Sequence, residues 1–249
     1  MTAPASTLRA TPLAVTRRAS APEAKVTLRT RGRRGVRALA EGVLPASVIV
    51  WRGPSAPSKA AAAGSRVALT FDDGPTALTR DYLAVLARFG ARATFFVVGE
   101  LCARNPELVL AIRRAGHELA GHGYTHRRFP ELSLRALGAE LEQTRRLLPT
   151  EGNQRPLVRP PHGAVSVAST IRTASAGFTT VLWSYDSGDW ATEEAEAVRA
   201  RFQQQRVAPG DIVLFHEGQT WTLDALPEIL DTLQRAGHEL VTAGELLGR

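Results

Sequence analysis

The 249-residue chain has one cysteine, Cys102. No internal disulfide can form from it, and no cysteine-based zinc cage can be assembled. Aromatic residues make up only 6% of the chain, and none stands before Trp51. No apolar run approaches the roughly 18 residues that a membrane-spanning helix needs. Residues 1–16 lack the charged start and long apolar centre of a secretory signal. Acidic residues are nearly missing from the first 66 positions, where Glu23 and Glu41 face 12 Lys and Arg. That stretch has a net charge of +10 and the remainder −3, so the basic balance belongs to the arm and not to the body. A basic arm can attract nucleic acid, anionic lipid or anionic wall polymer. With no aromatic side chain among its arginines, the arm lacks a stacking platform, and nucleic acid is not expected as a partner.

At 44% hydrophobic residues the chain can build a full-sized core. Residues 1–36 are small, basic and interrupted by Pro4, Pro12 and Pro22, and are expected to be disordered. Residues 37–66 are read as a strand near Val48–Trp51 followed by an Ala/Ser/Pro linker over Ser55–Gly64. Residues 67–249 are read as the main folded domain. There the chain alternates apolar runs with helical patterns. Strands are expected at Val67–Phe71, Thr94–Val98, Glu118–Ala120, Leu157–Arg159, Thr179–Trp183, Asp211–Phe215 and Glu239–Val241. Helices are expected between them, the last carrying Leu226, Ile229, Leu230 and Leu233 as an i, i+3, i+4, i+7 stripe. Strand then helix, repeated with short connections, predicts an α/β fold with a parallel sheet, and about seven such units favour an incomplete (β/α) barrel.

Five stretches stand at predicted strand ends, where barrels carry their chemistry. The first is Thr70-Phe71-Asp72-Asp73-Gly74-Pro75, two adjacent carboxylates where a strand stops. Two carboxylates this close both stay ionised only beside a cation or strong donors. The second is Gly121-His122-Gly123-Tyr124-Thr125-His126. Its histidines, four apart, are expected on one side of a helical turn, where neutral imidazoles can share a metal. With one Asp they make a three-ligand set of the kind catalytic zinc sites use. The third, Arg159-Pro160-Pro161-His162-Gly163, is a rigid loop that aims a guanidinium, whose fork suits a carboxylate. The fourth is Asp186-Ser187-Gly188-Asp189-Trp190, and the fifth is Leu214-Phe215-His216. Taken singly, each reads as an ordinary loop or turn. His117 and His238, each after Ala-Gly, are read as turn residues.

The order and content of the five stretches resemble the five motifs of the polysaccharide deacetylases, the NodB-homology domain, over residues 67 to 249. The resemblance implies a distorted, incomplete (β/α) barrel and a metal-dependent hydrolase that removes N-acetyl groups from amino sugars by way of metal-bound water. Carried over by position, Asp73, His122 and His126 hold a divalent ion, zinc first, with Co2+ or Mn2+ as alternatives. Asp72 is the base, Arg159 orients it, and His216 is the acid, oriented by Asp189 or Asp186. His162, Trp190, Leu214 and Tyr124 form the substrate-binding set, with the His162 backbone N–H at the oxyanion. The implied partner is an N-acetylated glycan: peptidoglycan, a chitin-like oligomer or a surface polysaccharide. A monomer is expected. The resemblance points to the cell envelope or secretion, while the missing signal leaves the cytoplasm open. The alternatives are a related hydrolase of small cyclic amides and a glycan-binding module without catalysis. Two positions depart from the family pattern. Gly123 stands where Ser or Thr is usual, and His162 stands where an aromatic is usual.

Overall fold

The computed structural model describes residue 45 and residues 47–55, 65–149 and 154–249. The expected arm over 1–36 and the linker beyond Ser55 fall outside these residues. The remainder builds one nine-stranded sheet in which every pairing is parallel. Its strands are β1 (Ile49–Val50), β2 (Ser65–Gly74), β3 (Thr94–Val97), β4 (Glu118–Gly121), β5 (Leu157–Val158), β6 (Thr179–Val181), β7 (Tyr185–Asp186), β8 (Ile212–His216) and β9 (His238–Val241). The spatial order is β1-β6-β5-β4-β3-β2-β8-β7, with β9 alongside the start of β2. The sheet is a half-barrel: no ladder joins β1 to β7 among the described residues.

Helices cover its outer face: α1 (Thr79–Arg88), α2 (Gly99–Arg104), α3 (Pro106–Arg114), α4 (Leu134–Arg145), α5 (Val167–Ser175), α6 (Ala195–Gln204) and α7 (Thr220–Arg235), while the short α8 (Ala243–Leu246) packs Ala243 and Leu246 with Ala68 and Phe96 on the other face. A parallel sheet covered on both faces needs strands that are apolar on both sides, which is why they read as unbroken apolar runs. Side chains still alternate. From β2, Val67, Leu69 and Phe71 join Tyr82, Leu86, Ile229 and Leu230 in the layer between sheet and helices. Ala68 instead joins Phe96, Ala120, Val181, Ile212 and Val241 in the second apolar cluster. The alternation puts Thr70 and Asp72 on the same face as Ala68. By the same rule Leu214 and His216 share the face of Ile212.

Strand β2 is central. It pairs with β9 through Ser65–Ala68 and with β8 through Ala68–Asp72, while β3 lies along its other edge. The register sets Asp72 opposite His216. The strand read at Val48–Trp51 is β1, hydrogen-bonded to β6. Three short elements escaped the sequence reading: α2, α8 and the two-residue β7. None is long enough to display a period. His117 is more than a turn residue. It is buried, its Nδ1 accepts from the Ala93 N–H at 3.2 Å, and burial pushes its pKa down to about 4.

Candidate active site

At the C-terminal end of β2, the backbone turns left-handed at Asp73 (φ 71°). Consecutive side chains on a strand would point to opposite faces. The turn breaks that rule and lets Asp72 and Asp73 serve one site. Among the described residues, only Asp73, His126 and His162 take a positive φ without being glycine. All three lie in the motif stretches, as expected where local strain is held at a functional site.

Asp72 is buried, and its Oδ1 accepts from Arg159 at 2.7 Å. The guanidinium is fully buried. It also donates to Thr70 Oγ1 (2.9 Å) and to the Val181 and Leu182 carbonyls (3.2 and 3.0 Å), and it lies over the Phe96 ring. Burial lowers the Arg159 pKa, and Asp72 opposes that shift. A buried cation needs this degree of pairing. The result fixes Asp72 in place and leaves its Oδ2 turned toward His122 at 3.8 Å.

Asp73 Oδ1 lies 3.3 Å from His122 Nε2 and 3.0 Å from His126 Nε2. One ligand atom from each of the three residues falls within 4.8 Å of the others. His122 Nδ1 is 2.8 Å from the Arg159 carbonyl oxygen, which can only accept. Nδ1 therefore carries the proton, and in the neutral ring Nε2 presents a lone pair. That lone pair faces a buried carboxylate oxygen which has no hydrogen-bond partner. Lone pairs gathered in this way call for a cation between them. A histidine whose other ring nitrogen donates to a carbonyl is the usual setting of a metal ligand. The donor set thus fits a divalent ion.

The expected helical turn across His122 and His126 is a correction. The stretch after β4 is an irregular loop. The histidines converge because Glu140, from α4, grips the loop between them. Its Oε2 accepts from the Tyr124 and Thr125 N–H groups (2.8 and 2.9 Å), and its Oε1 accepts from Thr125 Oγ1 (2.6 Å). Gly123 supplies a positive φ of 76° beside Pro161, a conformation in which the usual Ser or Thr would be strained. Glu140 was not singled out from sequence. A glutamate on a helix ordinarily reads as a solvated position, and only packing buries this one.

On the far side, His216 Nδ1 meets Asp189 Oδ1 at 2.8 Å. Asp189 is fully buried and collects the His216 N–H (2.8 Å) and Thr222 Oγ1 (3.0 Å) on its other oxygen. Burial lowers the His216 pKa, but Asp189, with smaller help from Asp72 and Asp73, raises it to about 9. Asp186 is a correction: it does not orient His216. Its Oδ1 accepts from the Gly188 N–H (3.0 Å) and Trp190 Nε1 (3.1 Å), so it shapes the loop instead. Of the expected substrate set, Leu214 is buried on β8 and Trp190 is exposed at the rim. The Tyr124 ring packs where a side chain at Gly99 would stand. His162 is exposed, with its ring 4.8 Å from that of His126.

Comparison with known proteins agrees with this fold. Residues 59–181 match the family described as Polysaccharide deacetylase. The chain is 35% identical over 187 residues to the peptidoglycan-N-acetylglucosamine deacetylase of Bacillus cereus, covering 73% of this chain and 87% of that one. The peptidoglycan-N-acetylglucosamine deacetylase PgdA of Listeria monocytogenes, 34% identical over 209 residues, is longer, and the chain spans 42% of its length. Among solved structures, a family 4 carbohydrate esterase from Streptomyces lividans in complex with acetate has a TM-score of 0.65 at 35% identity, covering 71% of this chain and 92% of that one. A family 4 pseudoenzyme from Bacillus anthracis has a TM-score of 0.71 at 25% identity, covering 82% and 70%.

Proposed function

Because the chain belongs to the polysaccharide deacetylase family, we propose that it hydrolyses N-acetyl groups on an amino-sugar polymer or oligomer, peptidoglycan first. One observation carries the reading. A three-residue cation site, Asp73, His122 and His126, is flanked by a carboxylate held by Arg159 and an imidazole held by Asp189. A pseudoenzyme can keep the fold without activity. This chain keeps each residue type the reaction needs, and keeps them paired.

Zinc suits the mixed O/N donor set best. When bound, the ion polarises the acetyl carbonyl and lowers the pKa of a water to about 7. The side chains divide the remaining work. Asp72 has Oδ1 committed to Arg159, so its Oδ2 is the oxygen that takes the proton of the attacking water. The water oxygen bonds to the carbonyl carbon, and the His162 backbone N–H is assigned to the oxygen that gains charge. His216 donates Nδ1–H to Asp189, which directs Nε2–H to the departing nitrogen. A pKa near 9 keeps that proton in place at neutral pH. The carbon–nitrogen bond breaks, the amine leaves with the Nε2 proton, and acetate remains. Trp190 at the rim offers a ring face to a sugar.

The test is acetate release from a panel of N-acetylated glycans, with and without chelator. The expected result is release from at least one substrate, lost on chelation and regained with zinc. Release that ignores the chelator would overturn the metal assignment. No release from any glycan by metal-loaded protein would overturn the reaction.

A further inference from the structure

Directly after His216 stands Glu217, a carboxyl that the reaction above does not use. It is 4% exposed. Its N–H donates to the Asp72 carbonyl at 2.8 Å, so its backbone continues the β2–β8 ladder past the catalytic register. Its side chain reaches across to the turn that follows Asp73. There Oε1 accepts from the Thr76 N–H (3.0 Å) and Thr76 Oγ1 (3.3 Å), and it lies in close contact with Thr79 Oγ1 at the start of α1. The other oxygen, Oε2, is buried and has no hydrogen-bond partner. It occupies the space where a side chain at Gly74 would begin, 1.9 Å from an ideal Cβ. Gly74 directly follows Asp73, whose backbone is already left-handed.

We propose that Glu217 is a positioning residue that clamps the turn after Asp73 to the strand carrying His216. Through it the cation-binding carboxylate and the proton-donating imidazole keep one spacing. The inference rests on the reaction assigned above. A merely structural carboxylate would be expected at a wetter position or with both oxygens satisfied, because an unpaired buried oxygen is costly. Here one oxygen gathers all the contacts and the other fills space. Burial raises the Glu217 pKa, against the pull of its threonine partners.

The experiment compares full-length, zinc-loaded wild type with E217A and E217Q. The readouts are kcat and KM on a soluble N-acetylglucosamine oligomer, and zinc affinity by competition with a chromogenic chelator. E217A should lose at least about tenfold in kcat with KM nearly unchanged, and should bind zinc about tenfold more weakly, as loss of a ligand's supporting contact does. E217Q keeps an acceptor oxygen and the volume without charge, and should recover most of both losses. Wild-type kcat and zinc affinity in E217A, even with a lower melting temperature, would overturn the proposal, as would E217Q failing as badly as E217A. If E217A does not fold, T79V removes one partner from the opposite side, and an unchanged kcat and zinc affinity there would overturn it equally. The zinc readout needs no substrate. A wild type inactive on every glycan would therefore refute the assigned reaction while leaving the clamp to be judged by metal affinity.

Discussion

At the scale of single residues, the site depends on which oxygen or nitrogen is already committed. Asp72 gives Oδ1 to Arg159 and keeps Oδ2 for the proton. The D72N variant should retain its metal, because Asp73, His122 and His126 are untouched. It should lose roughly 10²–10⁴-fold in kcat, the usual worth of a positioned base. Metal content by emission spectroscopy alongside acetate release checks both halves, and near wild-type turnover would remove Asp72 from the mechanism. His216 owes its raised pKa to Asp189. Activity that needs the imidazolium proton should therefore fall as pH rises through about 9. In D189N the raising partner is gone and burial remains, so the alkaline limb should move down by about one unit or more. A pH profile of kcat for both proteins measures this, and an unmoved limb would show that another group sets it. The same pair bears on stability. A pKa raised on folding stabilises fully below the unfolded imidazole value of about 6.5, and that contribution is lost as pH climbs through the folded value.

At the scale of elements, loops bring the ligands in and neighbouring helices or strands hold those loops. Glu140 on α4 is the clearest case, since it satisfies two N–H groups and a hydroxyl of the histidine loop. E140A should leave those buried donors without partners and weaken metal binding by about 10–100-fold, the range for loss of an outer support. Zinc competition with a chelator, paired with thermal melting, separates this from general unfolding. Equal zinc affinity in E140A and wild type would deny Glu140 that role. Much of this level was legible in the chain. Apolar runs ending in Gly-Pro or Pro-Pro marked the strand ends, and the α7 stripe of Leu226, Ile229, Leu230 and Leu233 is buried as its period requires. What could not be read depended on contacts between distant segments. Asp186 ends β7 and Asp189 stands three residues later, and only the left-handed Gly188 and the short turn after it decide which carboxylate reaches His216. Glu140 and Glu217 carry no local signal, because their partners lie on other elements.

At the scale of the whole molecule, the barrel begins before the linker. Strand β1 pairs with β6, and Val50 belongs to the second apolar cluster of the sheet. A protein starting near Arg37 should therefore fold and keep its kcat on a small neutral substrate, because residues 1–36 lack the apolar pattern that would offset their ordering. Its affinity for an anionic polymer should fall at low salt and match wild type at high salt, where arm contacts are screened. Loss of folding on removal of the arm would place the domain boundary elsewhere. Strand β2 has a further consequence for how the protein comes to exist. It lies between β3, which follows closely in the chain, and β8, whose paired residues stand 144 positions later. Asp72 and His216 therefore meet only across a very long loop closure, whose entropy is lost before the pairing rewards it. During synthesis the segment bearing the five motifs must leave the ribosome almost entirely before the base and the acid can face each other. Refolding should be slow for a chain of this length, since non-local strand pairing sets the rate, and deacetylase activity should return with its last phase.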